Sequence, residues 1–88
     1  MLEIRPSCEN CNKPLPFDSK EAMICTFECT YCKDCVVSVL EYVCPNCGGG
    51  FENRPIRPEL LLKKYPPSTL IIHKPVDVIK HQERLKNK

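Results

Sequence analysis

Eight cysteines set in four close pairs, nine prolines and a chain of only 88 residues without tryptophan predict a small α+β domain stabilised by bound metal, with one central helix and a C-terminal extension. So short a chain buries too little apolar surface to be stable with ease, and a cross-link must supplement the core. Eight cysteines offer disulfides or metal. Residues 1–6 hold no basic region followed by an apolar run of signal-peptide length, and no stretch approaches the roughly 20 apolar residues of a membrane span. A cytoplasmic location without a membrane partner is therefore expected, and in a reducing compartment close cysteine pairs serve as metal ligands more often than as disulfides.

The organisation expected is a double metal-binding domain over residues 1–50 and a Pro-rich, basic extension over 51–88. Every cysteine lies in the first, and Gly48, Gly49 and Gly50 form the hinge. Residues 22–27 read as a short strand, half of a hairpin. Residues 33–43 read as the central helix, because Val36, Val39, Leu40 and Val43 recur at intervals of three and four. Four valines lower its intrinsic propensity, so packing must hold it. In the extension, residues 58–64 open with Pro58 and Glu59 as a short helix that Pro66 and Pro67 stop. Residues 69–72 suit a strand, and 77–86 a helix with a weak apolar stripe of Val78, Ile79 and Leu85. Charge divides similarly: residues 1–62 carry six basic and nine acidic side chains, and 63–88 carry seven and two.

The ligand string runs Cys8-x2-Cys11, thirteen residues, Cys25-x3-Cys29-x2-Cys32-x2-Cys35, eight residues, Cys44-x2-Cys47. Each close pair can offer two sulfurs to one tetrahedral ion, so eight sulfurs make two complete sites. Asn12 follows the first pair and Gly48 the last, the residue types that most readily take the left-handed backbone of a tight knuckle. Val36 after Cys35 resists it, so Cys32 and Cys35 fit the opening turn of the central helix, where the dipole favours thiolates. A knuckle, a hairpin and a helix supplying the last two ligands make a treble-clef finger. Cys8, Cys11, Cys32 and Cys35 would then share one ion, and Cys25, Cys29, Cys44 and Cys47 a second. Sequential pairing, giving two independent fingers, is the alternative. The expected cofactors are two Zn(II), with iron the alternative that sulfur donors separate poorly. Four cysteines per ion leave no open position, so both sites are expected to be structural rather than catalytic. Eight thiolates and two Zn(II) bring the formal charge from +2 to about −2, which removes any argument for nucleic-acid binding from overall basicity.

The spacing from residue 8 to residue 47, closing on Cys44-Pro45-Asn46-Cys47, resembles the RING-type cross-brace. The wording around it is similar to a family of short uncharacterised bacterial proteins known only as a domain of unknown function. The residues that carry this are Met1-Leu2-Glu3-Ile4-Arg5-Pro6, Ile24-Cys25-Thr26-Phe27-Glu28-Cys29-Thr30-Tyr31-Cys32, Cys44-Pro45-Asn46-Cys47-Gly48-Gly49 and Arg54-Pro55-Ile56-Arg57-Pro58. That resemblance implies no activity. RING ubiquitin ligases commonly place an aliphatic residue in the first pair, an aromatic before the last and a basic residue after it. Here those places hold Glu9 and Asn10, Tyr42 and Gly48, so the scaffold is similar and the apolar docking groove is missing.

The remaining residues have plain readings. With the sulfur sites full, His73 and His81 are expected to be solvated, and Lys63, Lys64, Lys74, Lys80, Arg84, Lys86 and Lys88 to keep the tail soluble. Arg54 and Arg57 would pair with acidic groups of the metal domain. Leu60, Leu61, Leu62, Leu70, Ile71 and Ile72 are too apolar to lie loose, and would cover the metal domain or join two subunits. The function expected is that of a structural zinc protein, a non-enzymatic module for a protein partner. The alternatives are a nucleic-acid binder using the basic tail and a RING-like ubiquitin-ligase module.

Overall fold

The computed structural model describes residues 2–86. Its centre is a three-stranded antiparallel sheet, order β2-β1-β3, formed by β1 (Ala22–Ile24), β2 (Thr30–Cys32) and β3 (Glu52–Asn53). Ala22 faces Cys32, Met23 faces both Tyr31 and Asn53, and Ile24 faces Thr30 and Glu52. The strand expected to reach residue 27 ends at Ile24, because a tight turn begins at Cys25. There the Glu28 amide donates to the Cys25 carbonyl at 3.1 Å, and Glu28 takes a φ of 63°.

The chain passes from β2 directly into α1 (Lys33–Cys35), which continues as a π-helical segment, Val36–Leu40. The Glu41 amide reaches back five residues to the Val36 carbonyl, and Tyr42 donates to the same oxygen at 3.1 Å. Glu41 and Tyr42 then turn left-handed, at φ 50° and 63°, and end the helix before the expected Val43. Val36, Leu40 and Val43 are nevertheless buried, as the periodicity required. They join a core of Leu15, Ala22, Met23, Tyr31 and Phe51, with the Tyr31 and Phe51 rings edge to face at 5.6 Å.

Residues after the glycines are built into this core. β3 extends the sheet, and Arg54 beside it is 3% exposed. Its guanidinium donates to the carbonyls of Arg5 (2.8 Å), Leu15 (3.2 Å) and Pro16 (2.8 Å), and Arg57 donates to those of Leu2 and Tyr65, both at 2.6 Å. The acidic partners expected of both arginines are therefore replaced by main-chain oxygens, four of them on the irregular, proline-broken N-terminal segment and one, that of Tyr65, after α2. α2 (Glu59–Leu62) is short, and its Leu60 is 93% exposed.

Residues 69–72 form no strand. With Pro66, Pro67 and Pro75 around them the chain instead runs as a strap, tied by the amides of Ser68 to the Ile4 carbonyl (2.9 Å), Lys74 to the Glu9 carbonyl (2.7 Å) and Val76 to Asn10 Oδ1 (2.9 Å). Leu70 and Ile71 stay exposed, so they do not cover the metal domain. The chain ends in α3 (Val78–Lys86), where of the expected apolar stripe Val78 and Ile79 face solvent and Leu85 is half-buried, while His81, expected to be solvated, is buried. His73 is exposed, with Nε2 3.2 Å from the Asn10 carbonyl. No helix among the described residues is long and apolar enough to cross a membrane.

Candidate metal centres

The first centre joins a loop to the sheet-helix junction. Cys8 and Cys11 sit on a knuckle in which the Cys8 amide donates to the Lys13 carbonyl and the Asn12 amide to the Cys8 carbonyl, both at 2.9 Å. Asn12 closes it at φ 63°. Cys32 ends β2 and Cys35 lies in α1, three residues on. These four sulfurs lie within 4.8 Å of one another, and those of Cys11 and Cys32 are 3.7 Å apart. Metal–sulfur bonds of about 2.3 Å give a tetrahedron with edges of ~3.8 Å, so the donor set fits a metal ion. The Asn10 amide nitrogen donates to Cys35 Sγ at 3.3 Å.

The second centre repeats the knuckle. The Cys44 amide donates to the Gly49 carbonyl at 2.8 Å, the Gly48 amide to the Cys44 carbonyl at 2.9 Å, and Gly48 has φ 76°. The sulfurs of Cys25, Cys44 and Cys47 lie within 4.8 Å of one another. Cys29 stands beside this group of three rather than inside it: its amide donates to Cys25 Sγ at 3.3 Å, and its sulfur accepts from Asn46 Nδ2 at 3.5 Å. The amides of Phe27, Asn46 and Gly49 donate to the sulfurs of Cys25, Cys44 and Cys47 at 3.3, 3.4 and 3.3 Å, and the Thr26 hydroxyl also donates to Cys47 at 3.3 Å. Gly49 has to lack a side chain, since a Cβ would stand 2.9 Å from Thr26 Cγ2.

Electrostatics in both clusters call for a cation. Burial pushes the Cys35 and Cys44 thiols up, and neighbouring cysteines add to it. Burial also raises Cys25 and Cys32. Cys47 goes the other way: burial opposes its thiolate, but the Thr26 hydroxyl and the Gly49 amide outweigh it and bring the pKa down to about 6. An ion among the sulfurs removes the penalty of burying like charges and fixes all of them as thiolates.

Residues that orient these sulfurs escaped the sequence reading, although a signal was present. The first and last pairs share the form Cys-x-Asn-Cys. In both, the asparagine side chain donates to a cysteine outside its own knuckle, Asn10 to Cys35 and Asn46 to Cys29. Arg84 had no sequence signal; its guanidinium donates to the Cys44 carbonyl at 3.1 Å from α3.

Comparison with known proteins adds no activity. A relative from Rhizobium meliloti (strain 1021), an uncharacterized protein, is 56% identical over 75 residues, which cover 85% of this chain and 89% of the relative. No solved structure matches the chain. The family model described as "protein of unknown function (DUF1272)" matches residues 1–57, the stretch holding both cysteine clusters, the sheet and the Arg54 anchor, and the chain belongs to that family.

Proposed function

We propose that the chain is a structural zinc protein, a non-enzymatic module that offers its surface to a protein partner. Two Zn(II) ions would cross-brace it, one on Cys8, Cys11, Cys32 and Cys35, the other on Cys25, Cys44 and Cys47 with Cys29 turning in as fourth ligand. Thiolate donors suit zinc, and full sulfur coordination would leave no position for water or substrate. The bond from Asn46 to Cys29, matching that from Asn10 to Cys35, supports Cys29 in this role.

The observation that carries the interaction reading is a set of large aliphatic side chains left in water. Ile56, Leu60, Leu61, Leu70 and Ile71 are all exposed, on segments held to the domain by main-chain and arginine bonds rather than by these side chains. Five large aliphatics left in water in so small a protein support a contact surface. Chemical cross-linking in cells followed by purification tests this. The native chain is expected to carry a protein partner at fixed stoichiometry, and the triple variant Leu60→Ser, Leu70→Ser, Ile71→Ser to lose it at unchanged metal content. Equal recovery with both chains would contradict the reading, and salt-sensitive retention on nucleic acid alone would replace it with the nucleic-acid alternative.

A further inference from the structure

α3 packs the wrong way round for an amphipathic helix. Asp77, Lys80, His81 and Arg84, at i, i+3, i+4 and i+7, form one polar stripe along a cleft, His81 buried and the other three exposed at its rim, while Val78 and Ile79 face solvent. Between this stripe, the strap residues Lys74 and Val76, and the second knuckle lies a cleft of about 260 Å³ floored by Tyr31. Its charge is one-sided. Lys74, Lys80 and Arg84 contribute three cations, and among the described residues none of them takes part in an ion pair. Asp77, the one carboxylate, directs Oδ1 at the Lys80 amide, 3.2 Å away, as the cap of α3.

Two buried polar groups of the cleft have unused capacity. Tyr31 is 2% exposed, and its hydroxyl oxygen accepts from Asn46 Nδ2 at 3.5 Å, which leaves the hydroxyl hydrogen to donate. His81 is 3% exposed and donates from Nε2 to the Leu40 carbonyl at 2.8 Å; its Nδ1 is buried without a partner. With Nε2 as donor, Nδ1 is an acceptor. Buried polar atoms such as this imidazole nitrogen seldom stay unpaired, and three cations converging at the mouth of the cleft without a carboxylate partner suit an anion.

We infer that this cleft is a binding site for a small phosphate monoester. A tetrahedral phosphate accepts hydrogen bonds from several directions at once, which suits ammonium groups on the strap and on α3, a guanidinium one turn further along and a hydroxyl below. A planar carboxylate would be satisfied by one arginine fork. In its monoprotonated form the phosphate also brings an O–H for the histidine acceptor. The volume admits a phosphate with a few further heavy atoms.

Titration of the metal-loaded full chain with inorganic phosphate, followed by NMR at constant ionic strength, tests the site. Saturable shifts are expected at the His81 ring and at the amides of Lys74, Asp77 and Lys80, with acetate giving none. Lys74→Gln with Lys80→Gln, both on exposed side chains, is expected to weaken phosphate binding by about tenfold or more. Tyr31→Phe, which keeps the ring in the core, is expected to weaken it less. Shifts that do not saturate, an equal response to acetate, or unchanged affinity in the double lysine variant would overturn the inference.

Discussion

A thiolate in a protein interior survives only where charge and hydrogen bonds come from its surroundings, and Cys47 shows which neighbours supply them. The Thr26 hydroxyl and the Gly49 amide both donate to its sulfur and bring its pKa to about 6, below the ordinary thiol value of about 8.5. A group whose folded pKa is depressed contributes stability that is present above its unfolded value and lost as pH falls through the folded one. Acid is therefore expected to discharge the second centre as pH falls through the folded value of Cys47, and removing a donor to its sulfur to bring that release to higher pH. Thr26→Val should raise the pH at which that centre releases its ion by roughly half a unit and leave the first centre unchanged. Acid titration of released metal with a chromogenic indicator checks this, and equal shifts at both centres would contradict it. At this scale the sequence named the cysteines and was silent on Thr26, because a side chain donating to sulfur leaves no periodic trace; the two asparagines were marked only by the Cys-x-Asn-Cys form that the first and last pairs share.

Among the elements, the knuckles were the most legible. Asn12 and Gly48 stand where a left-handed residue was expected, at φ 63° and 76°, because only a few residue types accept that backbone without strain. Gly48→Val is expected to lower the unfolding free energy by about 1–2 kcal/mol, with Gly48→Asn much milder, measured by denaturant titration of the metal-loaded protein. A Cβ there meets Arg84 Nη1 at an ordinary 3.5 Å, so the cost is conformational rather than steric. An equal loss for both variants would point to crowding instead. The central helix was legible as an apolar period; its π-helical second half and left-handed end were not, since Glu41 and Tyr42 carry no glycine-like signal. α3 was found at nearly its true limits with Val78 and Ile79 on the wrong face, because moment-based reasoning assumes that the apolar side goes inward. Here two carbonyls of buried residues of the metal domain, those of Leu40 and Cys44, draw in His81 and Arg84 instead.

For the whole molecule, the division at the glycines describes composition better than packing. β3, Arg54, the strap and α3 all attach to the cysteine region through main-chain carbonyls and the Asn10 side chain. An arginine between prolines gives no hint of which oxygens it will meet, so this docking could not be read in advance. What the sequence did carry was the reason the fold needs help: the core centres on Leu15, Met23, Tyr31, Val36, Leu40 and Phe51, and five of the eight cysteines are themselves buried in it. Interleaved clusters tie residues 8–11 to 32–35 and residue 25 to 44–47, so an ion bound at each would close long loops that a thin core could not hold shut.

The central claim, that two metal ions hold this architecture together, is tested most directly by native mass spectrometry of the full chain, paired with far-UV circular dichroism before and after a strong chelator. The account predicts two zinc ions per chain and a cooperative loss of structure when they are removed. One ion or none, or a spectrum unchanged by chelation, would contradict it.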